Sequence, residues 1–160
     1  MVAALAVAGR EVVGIASYRR DMLIRVDLTL DCANPEVLSE FWKTAAGYVD
    51  EPPPAPFTTR DEWLAQFAAE DDDGMGAAWL HDPNGVAPRL CLLQVPEPKT
   101  AKNRLHLDLR VSGDGTQERK WSRVTDEVAR LSAAGAVARH TFAGHHVVMT
   151  DPEGNEFCVS

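Results

Sequence analysis

Histidine, carboxylate and thiol side chains recur in this chain on segments whose polarity alternates, so that several of them share one face. In Leu105-His106-Leu107-Asp108-Leu109-Arg110-Val111 every second residue is apolar. That period marks a strand with one buried face, and it sets His106, Asp108 and Arg110 on the other. Arg25-Val26-Asp27-Leu28-Thr29-Leu30-Asp31 alternates in the same way and gathers Asp27, Thr29 and Asp31. Near the end, Glu156 and Cys158 fall on one side of Glu156-Phe157-Cys158-Val159. Neutral imidazole is a good ligand for zinc, nickel or iron, and a carboxylate serves beside it. Two readings stand side by side. In one, these polar faces meet water and a ligand. In the other, His106 pairs with Asp27 or Asp108 in a polar network and Cys158 is a small core residue.

Other reactive groups carry less pattern. His145 and His146 adjoin Val147-Val148-Met149 and alternate across one strand, so one of them faces a pocket as a proton shuttle or both lie on the surface with His140. Trp79, just before His81, either lines a pocket or is buried by the segment preceding it. Cys32 and Cys158 have no basic neighbour in sequence to lower their pKa, which favours inert thiols over nucleophiles. The chain contains no glycine-rich phosphate loop, no G-x-S-x-G elbow and no H-E-x-x-H helix.

The elements that would position these groups are written twice. After the first strand, Asn34-Pro35-Glu36 supplies a capping side chain, a proline at the first helical position and an acid in the first turn. Val37, Leu38, Phe41, Trp42 and Ala45 then follow helical spacing, and Gly47 is the stop. After the second strand, a turn at Gly113-Asp114-Gly115 opens a helix with a stripe of Trp121, Val124, Val128 and Leu131, ended by Gly135. Each helix is followed by strands around an Asp-Pro-x-Gly turn: Asp82-Pro83-Asn84-Gly85 before Leu90–Val95, and Asp151-Pro152-Glu153-Gly154 before Glu156–Val159. The repeat divides the chain into modules at 23–95 and 104–160, joined by the polar linker Pro96–Thr100, with residues 1–22 as an N-terminal extension. Module one is longer by an insertion at 50–75. There Pro52-Pro53-Pro54 is a stiff connector, Thr59 and Glu62 form a capping box, and Trp63 and Phe67 sit one turn apart. This insertion is either a lid over a pocket or a helix patching the sheet edge.

Composition bounds the function. Acidic residues outnumber basic ones by 24 to 16, and the nearest approach to a basic cluster, Arg119-Lys120 with Arg123, lies among acids on a helical pattern. A phosphate-tracking surface needs clustered cations, so nucleic acid is not an expected partner. The apolar run Met1–Gly9 stops at Arg10-Glu11, far short of a span, so a membrane is not expected either. Three cysteines are an odd, sparse set that suits reduced thiols and a cytoplasmic setting.

These motifs together, Asp31-Cys32-Ala33-Asn34-Pro35 leading to Phe41-Trp42, then Arg104–Leu109, then Asp151-Pro152-Glu153-Gly154-Asn155-Glu156-Phe157-Cys158, resemble the glyoxalase-like members of the vicinal oxygen chelate superfamily. The resemblance covers residues 23–160. It implies an α+β fold of two βαβββ modules, whose mixed sheets form a cupped half-barrel with helices outside and a small-molecule or metal site within. Val26/Leu28/Leu30 and Leu105/Leu107/Leu109 would then pack under the helices. The superfamily's ligand positions, on the first and last strand of each module, fall on Asp27 and His106, near Gln94 and on Cys158, with Glu156 as a substitute after a register shift. The departure from the usual His/Glu pattern is the thiol, which favours zinc over magnesium or calcium. The resemblance implies a small-molecule ligand meeting Asp27, Trp79, Gln94, His106, Asp108 and Glu156, and a homodimer. It also implies one divalent metal (zinc, nickel or iron) in a lyase, isomerase or dioxygenase. The alternative is a metal-free sequestering protein of the antibiotic-resistance kind.

Overall fold

A computed structural model describes residues 24–67 and 76–160 of the chain. The N-terminal extension and the acidic loop Asp71–Gly74 lie outside the described residues. The elements run β1 (Leu28–Cys32), α1 (Pro35–Ala46), β2 (Val49–Asp50), α2 (Arg60–Leu64), β3 (Ala77–His81), β4 (Leu90–Gln94), β5 (Asp108–Leu109), α3 (Gln117–Ala133), β6 (Val137–Phe142), β7 (His146–Thr150) and β8 (Glu156–Val159). They form two open four-stranded sheets, ordered β1-β4-β3-β2 and β5-β8-β7-β6. In each, the first strand pairs in parallel with the last, and the other pairings are antiparallel. The second sheet repeats the first strand for strand, which is the α+β, two-module βαβββ architecture.

Local chemistry explains the elements. The Asn34 side chain accepts from the Val37 amide at 3.1 Å, Pro35 opens α1, and Gly47 closes it in the left-handed region at φ 70°. Thr59 and Glu62 form the reciprocal capping box of α2, and Trp63 meets Phe67 edge-on at 5.2 Å. Both Asp-Pro-x-Gly turns fold around their aspartate. Asp82 accepts from the amides of Asn84, Val86 and Ala87, and Asp151 from those of Glu153 and Asn155.

The core lies between the helices and one face of each sheet. Leu38, Phe41, Trp42 and Ala45 of α1 and Val124 and Leu131 of α3 are buried with Leu80, Leu90, Leu92, Val147, Met149, Phe157 and Val159. The core is continuous between modules, because Phe157 of β8 meets Phe41 and Trp42 of α1 at 5.8 and 5.6 Å. Arg130 of α3 donates to the Thr44 carbonyl at 2.9 Å. The Glu153 carboxylate accepts from the amides of Ala33 and Asn34, both at 2.7 Å. Three expected core positions are corrected. Leu28, Leu30, Leu107 and Leu109 pack against the core, but Val26 and Leu105 are 68% and 69% exposed. They precede the hydrogen-bonded part of their strands. Val37 is exposed because it sits in the first turn of α1, off the buried stripe.

Candidate functional site

Strand pairing decides which side chains meet on the faces turned away from the helices. In module two, Asp108 is registered with Cys158, Cys158 with Val148, and Val148 with His140. Phe157, Val159, Val147 and Met149 point into the core, so alternation carries Asp108, Cys158 and Val148 to the open face. His106, two residues before Asp108, joins them. Its Nδ1 lies 3.2 Å from Asp108 Oδ1. The donor atoms of His106, Asp108 and Cys158 all fall within 4.8 Å of one another. Burial first, and then the adjoining Asp108 carboxylate, push the Cys158 thiol up from its ordinary pKa. A nitrogen, an oxygen and a sulfur donor converge here on partly exposed strands.

The chemistry of that set fits a divalent metal of intermediate softness. Imidazole and thiolate suit zinc, and the carboxylate adds charge compensation. Burial and Asp108 favour the protonated thiol of Cys158, so a metal bound there would displace its proton.

The other expected ligands are elsewhere. Asp27 accepts from Arg89 Nη1 at 2.8 Å, and Glu51 accepts from the same guanidinium through Nη2. The position expected near Gln94 is corrected. Gln94 alternates with Leu90 and Leu92 on the core side of β4, and its amide bonds the Gly76 N–H at 3.0 Å and the Ala33 carbonyl at 3.2 Å. The residue of β4 that occupies the place of Cys158 is Cys91, registered with Thr29. Glu156 lines a small cavity together with His106, but its carboxylate is engaged by residues of and beside the linker. It accepts from the Asn103 amide at 3.0 Å and faces Lys99 Nζ at 3.1 Å, and these contacts lower its pKa to about 2.

Trp79 lines a cavity of about 230 Å³ on the open face of module one, with Asp27, Thr29, Glu51, Arg89 and Cys91. It is also covered by the insertion, as Trp63 meets it edge-on at 5.8 Å and the Arg60 guanidinium lies over it at 4.6 Å. Of the three histidines, His146 stacks on Phe142 at 4.5 Å on the open face of module two, while His140 and His145 are exposed. Sequence reasoning missed Glu51, Arg60, Arg89 and Cys91. Cys91 alone had a signal, as the thiol beside an apolar run that mirrors Cys158. All three cysteines are free, and burial, with nearby carboxylates, raises Cys32 to about 11.

The family model described as Glyoxalase-like domain matches residues 27–160. A comparison with curated proteins finds no match. Among solved structures, the fosfomycin resistance protein FosX from Mesorhizobium loti is similar at 10% identity and TM-score 0.57, covering 87% of this chain and 90% of that one. A glyoxalase/bleomycin resistance protein/dioxygenase family enzyme from Burkholderia phytofirmans PsJN gives 15% identity and TM-score 0.51, over 84% and 97%. FosX from Listeria monocytogenes, in complex with Mn(II) and sulfate, gives 8% identity and TM-score 0.53, over 86% and 91%. At these identities the likeness is one of fold.

Proposed function

The chain belongs to the glyoxalase-like domain family, within the vicinal oxygen chelate superfamily, and from that premise we propose that it acts on a small molecule at a divalent metal held by His106, Asp108 and Cys158. The observation that carries this reading is the convergence of those three donors within 4.8 Å. The Mn(II) of the Listeria FosX supports a divalent ion in such a fold, and the thiol here favours zinc. A bound metal of this kind supplies Lewis acidity toward substrate oxygens, the chemistry of a lyase, isomerase or dioxygenase.

The chain's own residues set the rest. His106 and Asp108, whose Nδ1 and Oδ1 lie 3.2 Å apart, would hold such a metal together with Cys158. Val148 and the Phe142–His146 stack offer apolar surface beside the cluster. His146 is the nearest candidate for moving a proton on that face. A homodimer and a cytoplasmic setting complete the proposal. The exposure of every residue of β6 supports the first, and three free thiols support the second. Among the described residues no helix is long and apolar enough to cross a membrane.

Elemental analysis of protein purified without chelator tests the reading. We expect about one zinc per chain by the stoichiometry of one tetrahedral site, lost in His106→Ala. Metal-free protein would refute it. A metal-free sequestering protein is the second reading, favoured by the engagement of Asp27 with Arg89, which leaves three donors from a single module. Thermal stabilisation of EDTA-treated protein by aromatic or cationic compounds would support it.

A further inference from the structure

We propose that the seam between the two modules is a binding site for a short, uncharged aliphatic group carrying one oxygen, which accepts a hydrogen bond from Trp42 Nε1. β1 and β5 each end their sheet. A cavity of about 90 Å³ lies where they approach, walled by Leu28 and Leu30 of β1, Leu107 ahead of β5 and Trp42 of α1. Of the residues around it, Trp42 and Leu90 are buried, whereas Leu105 and His106 are exposed. The cavity therefore opens to solvent at one end and reaches the shared core at the other.

The surroundings select the occupant. A wall made mostly of leucine favours hydrocarbon over polar groups. An engineered apolar cavity of about 150 Å³ accepts benzene, so a space of about 90 Å³ suits a short aliphatic group and refuses a six-membered aromatic ring. Trp42 Nε1 is buried and has no hydrogen-bond partner among the described residues. An indole N–H can only donate, and buried donors are rarely left without an acceptor. The neighbours of Trp42 on its core side, the rings of Phe41 and Phe157 at 5.4 and 5.6 Å, offer no oxygen. An oxygen on the occupant supplies one. Glu156 also lines the cavity, and its carboxylate repels an anion. Its engagement by Lys99 and the Asn103 amide leaves it no free partner role for a cation.

His106 belongs both to this wall and to the donor cluster. That the occupant is one arm of the molecule the cluster acts on rests on the proposed function; the seam site itself does not. Oxetane, a small saturated ring with one ether oxygen, is the probe, added to isotope-labelled protein treated with EDTA. The Trp42 indole N–H resonance should move downfield and saturate, together with the methyl signals of Leu30 and Leu107, while the Trp121 indole signal stays in place. Anisole, which carries an ether oxygen on a benzene ring, should move none of them. Leu30→Phe, which fills the cavity, should abolish the shifts, and Leu107→Phe repeats the test should that variant fail to fold. A Trp42 signal that oxetane leaves in place, an equal response to anisole, or shifts that survive in a folded phenylalanine variant overturns the inference. The oxetane response in a protein whose elemental analysis shows no zinc would sink the metal reading and leave the seam site standing.

Discussion

Replacing Glu153 by alanine should loosen the joint between the modules while leaving the shared core intact. Glu153 sits in the β7–β8 turn, positioned by Asp151, whose carboxylate accepts from its amide at 3.0 Å. Its own carboxylate spans the amides of Ala33 and Asn34 at 2.7 Å each, just ahead of α1. Both bonds are short and charge-assisted, and they place an anion where the α1 dipole favours one. Ala33 and Asn34 are exposed, so water replaces part of what is lost. Two such bonds contribute about 1 kcal/mol each in that setting, giving a loss of about 2 kcal/mol. At roughly 2–4 °C per kcal/mol for a domain of this size, Tm falls by about 4–8 °C. Glu153→Gln keeps one carbonyl acceptor and should lose about half as much. Urea unfolding gives the stability, and hydrogen exchange should show the Ala33 and Asn34 amides losing protection in Glu153→Ala alone among the α1-proximal amides. A loss below about 0.5 kcal/mol, the range of ordinary surface substitutions, would refute the argument, as would unchanged exchange at those amides.

Cys158→Ser should weaken zinc binding by at least about tenfold, since losing a ligand exceeds the loss of an outer partner; competition with a chromophoric chelator measures it. Because burial and Asp108 keep the Cys158 thiol protonated, wild-type zinc affinity should rise with pH, and a flat profile would argue against sulfur ligation. Acid should destabilise the fold as pH falls from the ordinary carboxylate range toward 2. Asp82 and Glu156 are lowered to about 2 by hydrogen bonds from backbone amides, so the unfolded chain binds their protons first. Urea midpoints between pH 6 and 2.5 should show this, with a shallower fall in Glu156→Gln. Trp63→Ala should strip one ring from the Trp79–Arg60 stack, costing about 1–2 kcal/mol and shifting Trp79 emission to the red; unchanged emission would mean the insertion does not cover it.

The repeat was legible because each element carried its own local signal: caps at Asn34 and Thr59, stops at Gly47 and Gly135, and two aspartate-centred turns. Alternation along β5 and β8 also sets His106, Asp108 and Cys158 on faces where the structure brings their donor atoms within 4.8 Å of one another. It failed on β4 for a physical reason. Leu90-Cys91-Leu92-Leu93 is a continuous apolar run, so no period reveals which face a residue takes. The run therefore points to its polar end, Gln94, as the counterpart of Cys158, whereas strand register gives Cys91. What the sequence could not yield at all was the fate of the charges. Asp27 and Glu51 meet Arg89 across 62 and 38 residues, and Glu156 meets the Asn103 amide across 53. Local spacing carries no trace of such pairs, yet they decide the chemistry. A carboxylate already bonded to a guanidinium is a different ligand from a free one, and Asp27, the counterpart of His106 in the repeat, is engaged in that way by Arg89.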